Sequence, residues 1–434
     1  MGFNKLCILG LGYIGLPTAS TFATHGLQVT GVDTNPKVVE CLLREQVHIY
    51  EPGLRSVVLE ALRSGNLRVQ SAPEPADAFI IAVPTPFYPD NKQADMRAVI
   101  SATESIVPHL RHGNLVILES TSPPRTTVDL VAPILERSGL RAGTDFHLAY
   151  SPERVLPGKI LEELIHNARV IGGIDPISAE LGRELYGLFV QGDIILTEAT
   201  TAEMVKLMEN TSRDINIAIA NEFSRLADRF GVDVWEAIQI ANLHPRVKIL
   251  KPGPGVGGHC ISVDPWFFVE AAPDLTPLIS TARHVNDNQP HFVVELVKRA
   301  AGGSVKGKHI AALGLSFKPD VDDFRESPAV EVVKLLREEG ALLTGFDPYL
   351  NGLEIEGVDL CKDLPYAVEQ ADLLLVLVAH RELCDLDPAQ LRSMTRANII
   401  VDTVNVFASR DLSGRGFELH RLGVNRLPSK SLAR

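Results

Sequence analysis

The sequence contains no C-x-x-C pair. Its five cysteines, Cys7, Cys41, Cys260, Cys361 and Cys384, are odd in number and widely scattered, a pattern that fits reduced thiols in a cytoplasmic protein better than a disulfide framework or a zinc site. No metal is expected. Positive charge is also in deficit: 42 Lys and Arg against 54 Asp and Glu give a net charge of −12, which argues against a general binder of nucleic acid or membrane surfaces. An anionic ligand would have to be held by local Lys and Arg. Long apolar runs are missing too. The longest later one, 373–378, is far too short to span a bilayer. The first one is interrupted by Gly and Pro and reads as a strand rather than a signal peptide, and position six is Leu rather than the Ser or Thr of a myristoylation signal.

What is present suggests several domains. At 434 residues the chain exceeds what one hydrophobic core usually serves, so two or three are expected. Lys5–Leu9 reads as a buried strand, and Gly10-Leu-Gly12-Tyr13-Ile14-Gly15 follows at once, ahead of an Ala/Thr-rich helical stretch. This is G-x-G-x-x-G in the context it requires. Gly10 permits the tight turn, Gly12 lets a pyrophosphate approach the backbone, Gly15 lets helix and strand pack, and the helix N-terminus offers N–H donors. The next strand, Gln28–Val32, ends at Asp33. A carboxylate there accepts from ribose hydroxyls and repels a 2′-phosphate, which favours NAD over NADP.

Further strands are expected at 78–83, 115–119 and 146–150, each running into polar or Pro-rich sequence. In an open parallel sheet, ligands lie beyond the carboxyl ends of the strands. Thr85, Thr121, Thr127, Glu153 and Arg154 are therefore candidates to face cofactor or substrate, although turn formation and N-capping also account for such residues.

A helix free of Gly and Pro is expected over 200–230, with Lys206, Asn210 and Arg213 on one face. A solvated face with Lys206 paired to Glu203 or Glu209 is the plainer alternative. The helix is apolar on more than one side, which marks it as central or as part of a subunit interface. A shorter helix, Val234–Ala241, leads through His244, Arg246 and Lys251 into GPGVGGHCISVDPW. Glycine at this density allows close approach to a ligand and can form an anion nest beside Cys260, in a setting that favours the nucleophilic thiolate. Asp264 follows four residues later.

Residues 303–434 repeat the opening theme. Strands are expected at 308–313, Leu342–Phe346, 373–378 and 398–401, and a helix at 330–338, while GLSFKPD takes the place of the glycine fingerprint and Asp347 echoes Asp33. The fingerprint is degraded, so a ligand other than a dinucleotide is expected, with Lys318 and Arg325 pointing toward phosphate. The fold class that results is α/β: two doubly wound Rossmann-like domains joined by a central long helical domain. The expected boundaries are 1–198, 199–300 and 301–434.

The order of GLGYIGLPTA, IAVPTPF, VILESTSP, PERVLPG, RVIGG, KLMENTSRDINIAIANE, HPRVKILKPGPGVGGHCISVDPWF and FKPDVDDFRESPA resembles the UDP-sugar 6-dehydrogenase (UDP-glucose/GDP-mannose dehydrogenase) family over essentially the whole chain. The resemblance implies NAD in the first domain, dimerisation through the central helix and a uridine diphosphate sugar in the last domain. It further implies that Cys260 is the nucleophile, Lys206 the catalytic lysine, Asn210 and Asp264 the residues around the attacked carbon and water, and Glu153 the acid of hydrolysis, with Thr121 beside them. Arg154, Val155, Lys206, Asn210, Arg213, His244, Arg246, Gly257, Phe317 and Lys318 fall on substrate positions. Gly10, Gly12, Tyr13, Ile14, Gly15, Asp33, Thr85, Thr127 and Arg325 fall on cofactor positions. Val404 stands where relatives usually carry Lys or Arg.

By the same resemblance, the cysteine loop and RDINIAIANE imply a 2-acetamido sugar, UDP-N-acetyl-D-mannosamine ahead of UDP-N-acetyl-D-glucosamine or UDP-glucose, oxidised at its 6-hydroxyl as a precursor of surface polysaccharide. Four-electron oxidation needs such a nucleophile, because an aldehyde gives up a hydride only after an adduct has formed on its carbonyl. A two-electron hydroxyacid dehydrogenase would need neither Cys260 nor a second doubly wound domain. A sensor that had lost catalysis would have no reason to keep Lys206, Asn210, Cys260 and Asp264 together.

Overall fold

The computed structural model describes residues 2–88 and 90–425; the end of the third expected domain, 426–434, lies outside the described residues. The chain divides into two compact units, one running to Glu209 and including Trp266–Leu275, the other made of Asn210–Pro265 and the chain from Thr276 onward.

The first unit is built on an eight-stranded sheet. Its strands are β1 (Lys5–Leu9), β2 (Gln28–Val32), β3 (Leu67–Gln70), β4 (Ala78–Ile81), β5 (Leu115–Leu118), β6 (His147–Tyr150), β7 (Arg169–Gly173) and β8 (Ile194–Glu198), in the spatial order β3-β2-β1-β4-β5-β6-β7-β8. Strands such as β4 and β5 are buried along their whole length, as expected where helices cover both faces of a sheet. Alternation feeds two cores: Leu6 and Ile8 of β1 pack into one apolar cluster, Cys7 and Leu9 into the other. The first six strands follow the doubly wound order that places ligands at the β1/β4 switch point.

The sheet is not wholly parallel, as the sequence had suggested. β7 runs antiparallel to β6, with Tyr150 opposite Gly172 and Ala149 opposite Gly173. A side chain at Gly172 or Gly173 would run into Glu198 O at 2.5 Å or Asp175 O at 2.2 Å. RVIGG is thus a strand whose glycines admit the next segment of backbone.

The second unit repeats the pattern with β9 (His309–Leu313), β10 (Leu342–Phe346), β11 (Val358–Cys361), β12 (Leu373–Val376), β13 (Ile399–Asp402) and β14 (Glu418–Arg421), in the order β11-β10-β9-β12-β13-β14, all parallel. Here Ile310 and Ala312 serve one core, Ala311 and Leu313 the other. The fold is therefore α/β with two Rossmann-like domains and a central helical region, the latter comprising Ala199–Phe230, Val234–Ala241, Asp264–Ala271, Pro277–Asp287 and Gln289–Ala300.

Within the second unit the long helix is anchored by buried polar groups. Arg283 donates to Asp214 Oδ1 at 2.5 Å, Asn286 Nδ2 donates to the same oxygen at 2.8 Å, and Asn221 Nδ2 donates to Asn286 Oδ1 at 2.9 Å. Among the described residues no helix is long and apolar enough to cross a membrane.

Candidate active site

In the first unit the glycine fingerprint has a physical reason at each position. Gly10 sits at φ +95° and donates its N–H to Val32 O at 2.8 Å; a Cβ there would meet Ala82 O at 2.5 Å. A Cβ on Gly15 would strike Gly10 O at 1.8 Å, whereas around Gly12 nothing lies within 4 Å. Two of the glycines are thus required by packing, and the middle one faces open space where a phosphate group can approach. Tyr13 and Ile14 are half-buried at the start of helix Gly15–Thr24. Asp33 accepts from Leu11 N at 3.0 Å and Asn35 N at 2.8 Å and stays partly exposed. The residues present fit a dinucleotide of the NAD type.

Beyond β4 and β5, Thr85 Oγ1 donates to Thr121 O at 2.6 Å. Thr127 donates from N and Oγ1 to Glu203 Oε1 at 2.7 and 2.6 Å, and Arg125 N donates to Oε2 at 2.5 Å. Glu203 is fully buried, and burial raises its pKa. The sequence singled it out only as a partner for Lys206. It serves instead as the acceptor that closes the Thr127 turn.

The strand ends also enclose a charge cluster that sequence reasoning missed. Arg169, buried on β7, donates to Glu119 Oε1 at 3.2 Å, to Ser151 Oγ at 3.1 Å and to Glu153 Oε2. Its guanidinium lies 4.0 Å from the Tyr186 ring centre, and Tyr186 Oη donates to Glu119 Oε1 at 2.9 Å. Burial pushes the Glu119 carboxyl up to about 7 against the pull of Arg169. Glu153 is thereby held from behind by a cation. Arg154 turns the other way, to Glu209 Oε2 at 3.0 Å and Ala168 O at 2.9 Å, and Val155 packs on the apolar core.

With Glu203 and Glu209 engaged elsewhere, the solvated pairing of Lys206 does not occur. Lys206 is buried, and among the described residues it has no ion-pair or hydrogen-bond partner. One turn further along the helix comes Asn210, the first residue of the second unit.

In the second unit Asn210 Nδ2 donates to Asp264 Oδ2 at 2.5 Å, and Asp264 N donates to Cys260 O at 2.8 Å. Asp264 is buried and Cys260 half-buried. The glycines before Cys260 are needed by the protein itself. A Cβ on Gly255 would meet Pro328 at 2.8 Å, on Gly257 Glu326 O at 2.4 Å, and on Gly258 the Phe317 ring at 2.8 Å. The loop enters through Gly253, whose N–H donates to Asn221 Oδ1 at 3.0 Å and whose carbonyl accepts from Gln289 Nε2 at 3.1 Å. Neither Asn221 nor Gln289 stood out in the sequence.

Phe317 N donates to Asp323 O at 3.0 Å, and Lys318 Nζ lies 5.7 Å from the Phe317 ring centre. Arg325 belongs to this unit, unlike the other cofactor candidates, and grips Asp323 through Nε at 2.9 Å and Nη2 at 2.6 Å. Arg213, His244 and Arg246 are exposed; Arg246 N donates to His244 Nδ1 at 3.3 Å. Val404 packs against the apolar core of the second sheet.

The sequence matches the NAD binding domain of the UDP-glucose/GDP-mannose dehydrogenase family over residues 4–190, its central domain over 200–288 and its UDP binding domain over 311–409. The chain belongs to this family. It is an NAD-dependent dehydrogenase of UDP-sugars. The UDP-N-acetyl-D-mannosamine dehydrogenase of Methanocaldococcus jannaschii is 47% identical over 425 residues, 97% of this chain and 96% of that one. The NDP-N-acetyl-D-galactosaminuronic acid dehydrogenase of Ralstonia solanacearum is 46% identical over 95% of this chain and 98% of its own length. Among solved structures, the UDP-D-ManNAc dehydrogenase of Pyrococcus horikoshii superposes with a TM-score of 0.90 at 40% identity, covering 98% of this chain and 100% of that one.

Proposed function

We propose that the enzyme oxidises the 6-hydroxyl of UDP-N-acetyl-D-mannosamine to a carboxylate, supplying a uronic acid precursor for surface polysaccharide, through a covalent adduct on Cys260. The observation that carries the covalent reading is the turn in which Cys260 O receives the N–H of Asp264 while Asp264 Oδ2 is held by Asn210. A nucleophile and a buried carboxylate able to manage water are what a thioester intermediate requires.

NAD, when bound, accepts a hydride in each of two oxidations. It would be held by Gly10, Gly12, Tyr13, Ile14, Gly15, Asp33, Thr85, Thr127 and Arg325. Cys260 adds to the aldehyde carbonyl to give a thiohemiacetal, which is oxidised to a thioester. Lys206, a buried residue with no carboxylate partner among the described residues, stabilises the oxygen that carries developing charge. Asp264 and Glu153 orient and deprotonate the water that releases the acid, with Asn210 and Thr121 fixing the reacting groups. The substrate is held by Arg154, Val155, Arg213, His244, Arg246, Gly257, Phe317 and Lys318. The exposed apolar face of the long helix joins two copies as a dimer.

The mannosamine assignment is supported by the names of the Methanocaldococcus and Pyrococcus relatives. The Ralstonia relative favours an N-acetylgalactosamine configuration as the second reading. An initial-rate screen over the UDP-linked N-acetyl sugars of mannosamine, glucosamine and galactosamine, together with UDP-glucose, decides between them. The mannosamine sugar should show the highest kcat/KM and yield about two NADH per sugar. A higher kcat/KM for any other sugar overturns the substrate assignment. Steady uronate formation by Cys260→Ala at a near-parental rate overturns the covalent mechanism.

A further inference from the structure

In a wholly parallel sheet Arg169, the first residue of β7, would lie at the edge away from the carboxyl ends of its neighbours. Because β7 runs antiparallel to β6, Arg169 lies instead at the end where ligands of such sheets are found. The register sets Gly173 opposite Ala149 and Gly172 opposite Tyr150; counted on by three places, it brings Arg169 opposite Glu153. Glu119 and Ser151, the residues that follow β5 and β6, meet the same guanidinium. Arg169 Nη1 donates to Glu119 Oε1 at 3.2 Å and to Ser151 Oγ at 3.1 Å, and Nη2 donates to Glu153 Oε2. The other oxygen of Glu153 accepts from Arg154 N at 2.8 Å. The chain on both sides is tied as well: Arg154 Nη1 donates to Ala168 O at 2.9 Å, and Asn167 Nδ2 donates to Arg154 O at 3.0 Å.

We propose that Arg169 is the positioning residue of the hydrolytic step: its guanidinium, clamped by Glu119, Ser151 and Tyr186, holds the Glu153 carboxylate in the orientation from which it takes a proton from water. The proposal rests on the reading of Glu153 as the acid of hydrolysis and adds the group that aims it.

Two observations separate this role from that of a buried ion pair serving the fold alone. The Glu119 side chain is sealed from solvent, whereas that of Glu153 keeps 9% of its surface exposed. A structural pair would be complete with Glu119, and reaching a second carboxylate at the solvent edge of another strand adds to the desolvation that a buried ion pair must overcome. The charges divide in the same sense. Burial pushes the Glu119 carboxyl up to about 7, which leaves Glu153 to answer the cation at neutral pH and below. Burial also works against the charge of Arg169, but Glu153, followed by Tyr186 and Glu119, outweighs it and keeps the guanidinium protonated.

The step balances without a further reagent. The oxygen of water bonds to the thioester carbon while one of its protons passes to Glu153. The C–S bond then breaks, the pair leaves with sulfur as the thiolate, and the carbonyl reforms as the free acid. Arg169 keeps its protons throughout, and no electron acceptor takes part.

The test follows the adduct in the full-length enzyme, mixed with saturating NAD and UDP-N-acetyl-D-mannosamine, or with the UDP-sugar that ranks first in the rate screen. Stopped-flow absorbance reads the NADH burst, and acid quench reads the decay of protein-bound sugar. Arg169→Lys keeps the charge but cannot span three acceptors. It should keep a burst of about two NADH per active site at the parental rate. Misplacing a reacting group by about 1 Å costs about 100-fold, so the bound sugar should decay at least about tenfold more slowly. Added to Glu153→Gln, Arg169→Lys should slow the decay no further. Equal losses of burst and decay, an unchanged decay, or additive losses in the double variant overturn the proposal. Glu153→Asp guards against misfolding of Arg169→Lys, because it keeps a carboxylate at a half-buried position and withdraws it from the guanidinium by one methylene. A parental decay rate in that variant overturns the proposal by itself. Glu153→Gln alone judges the underlying assignment: parental decay there ends the role of Glu153, whereas slow decay there with an unchanged Arg169→Lys ends only the role of Arg169. Absence of protein-bound sugar in the parent and every variant ends the covalent mechanism and this proposal with it.

Discussion

The side-chain amide of Asn210 donates to Asp264 Oδ2 at 2.5 Å, tying the long helix to the turn that begins at Cys260. An amide donor on one oxygen fixes the orientation of the carboxylate. Asp264→Asn keeps the shape and removes the base. Its kcat should fall by about 100-fold or more, the scale of general acid–base contributions, while the Kd for NAD stays unchanged. Rapid-quench detection of enzyme-bound sugar should show the adduct accumulating, and an unaltered kcat would remove Asp264 from the hydrolytic step.

Lys206→Ala should act on the rate rather than on cofactor affinity, because a cation matters most where negative charge develops. The expected loss is about 3 kcal/mol in transition-state stabilisation, or about 100-fold in kcat. Steady-state kinetics alongside NAD titration by fluorescence separates the two effects. If the rate is untouched, the buried lysine is a packing residue.

Glu119 gives a stability signature. Its carboxyl stands at about 7 in the folded chain, raised chiefly by burial, against an ordinary 4.5. The unfolded chain therefore gives up this proton at lower pH than the folded one. The contribution is fully present below about 4.5 and is lost as pH rises to about 7. Glu119→Gln cannot ionise, so the fall in melting temperature between those pH values should be shallower for the variant than for the parent. Parallel curves in calorimetry would show that Glu119 ionises normally.

The exposed apolar side chains at the end of the long helix, Phe223, Leu226 and Phe230, with Val232 and Ile240 beyond it, are more than a lone chain ordinarily leaves in one place. Leu226→Asp combined with Phe230→Asp should lower the mass measured by light scattering from a dimer to a monomer. A double variant that keeps the parental mass would place the subunit contact elsewhere.

The strands legible in the sequence were the buried ones. β1, β2 and β10 bury nearly every residue after the first and are closed by a turn or an acid, so their ends are marked. β3, β8, β11 and β14 are short and half-exposed, and a strand that buries one side in four or five residues leaves little periodicity to read. RVIGG stands out as a motif rather than as a strand, because its two glycines hide β7. The candidate site shows the same divide. Gly10, Gly15 and Cys260 are local signals, whereas the Arg169 cluster and the approach of His259 Nδ1 to Asp323 Oδ2 at 3.6 Å join residues far apart in the chain, and charge at such positions looks like surface until the fold brings the partners in.

Asp33 and Asp347 end equivalent strands and begin alike, each accepting the N–H of the residue two places past its sheet's central strand, Leu11 at 3.0 Å and Leu315 at 2.7 Å. From there they diverge. Asp347 is sealed from solvent and also accepts from Ser316 N at 3.0 Å and Tyr349 N at 2.8 Å, with His380 Nε2 at 3.1 Å. Its lone pairs are saturated by its own chain, so this carboxylate is a keystone where its counterpart is a socket. Grafting Gly12 and Gly15 onto the matching places of GLSFKP would therefore not recreate a dinucleotide receptor in the C-terminal half. The vacancy would have to be made at the acid, and unmaking it would loosen the turn it locks.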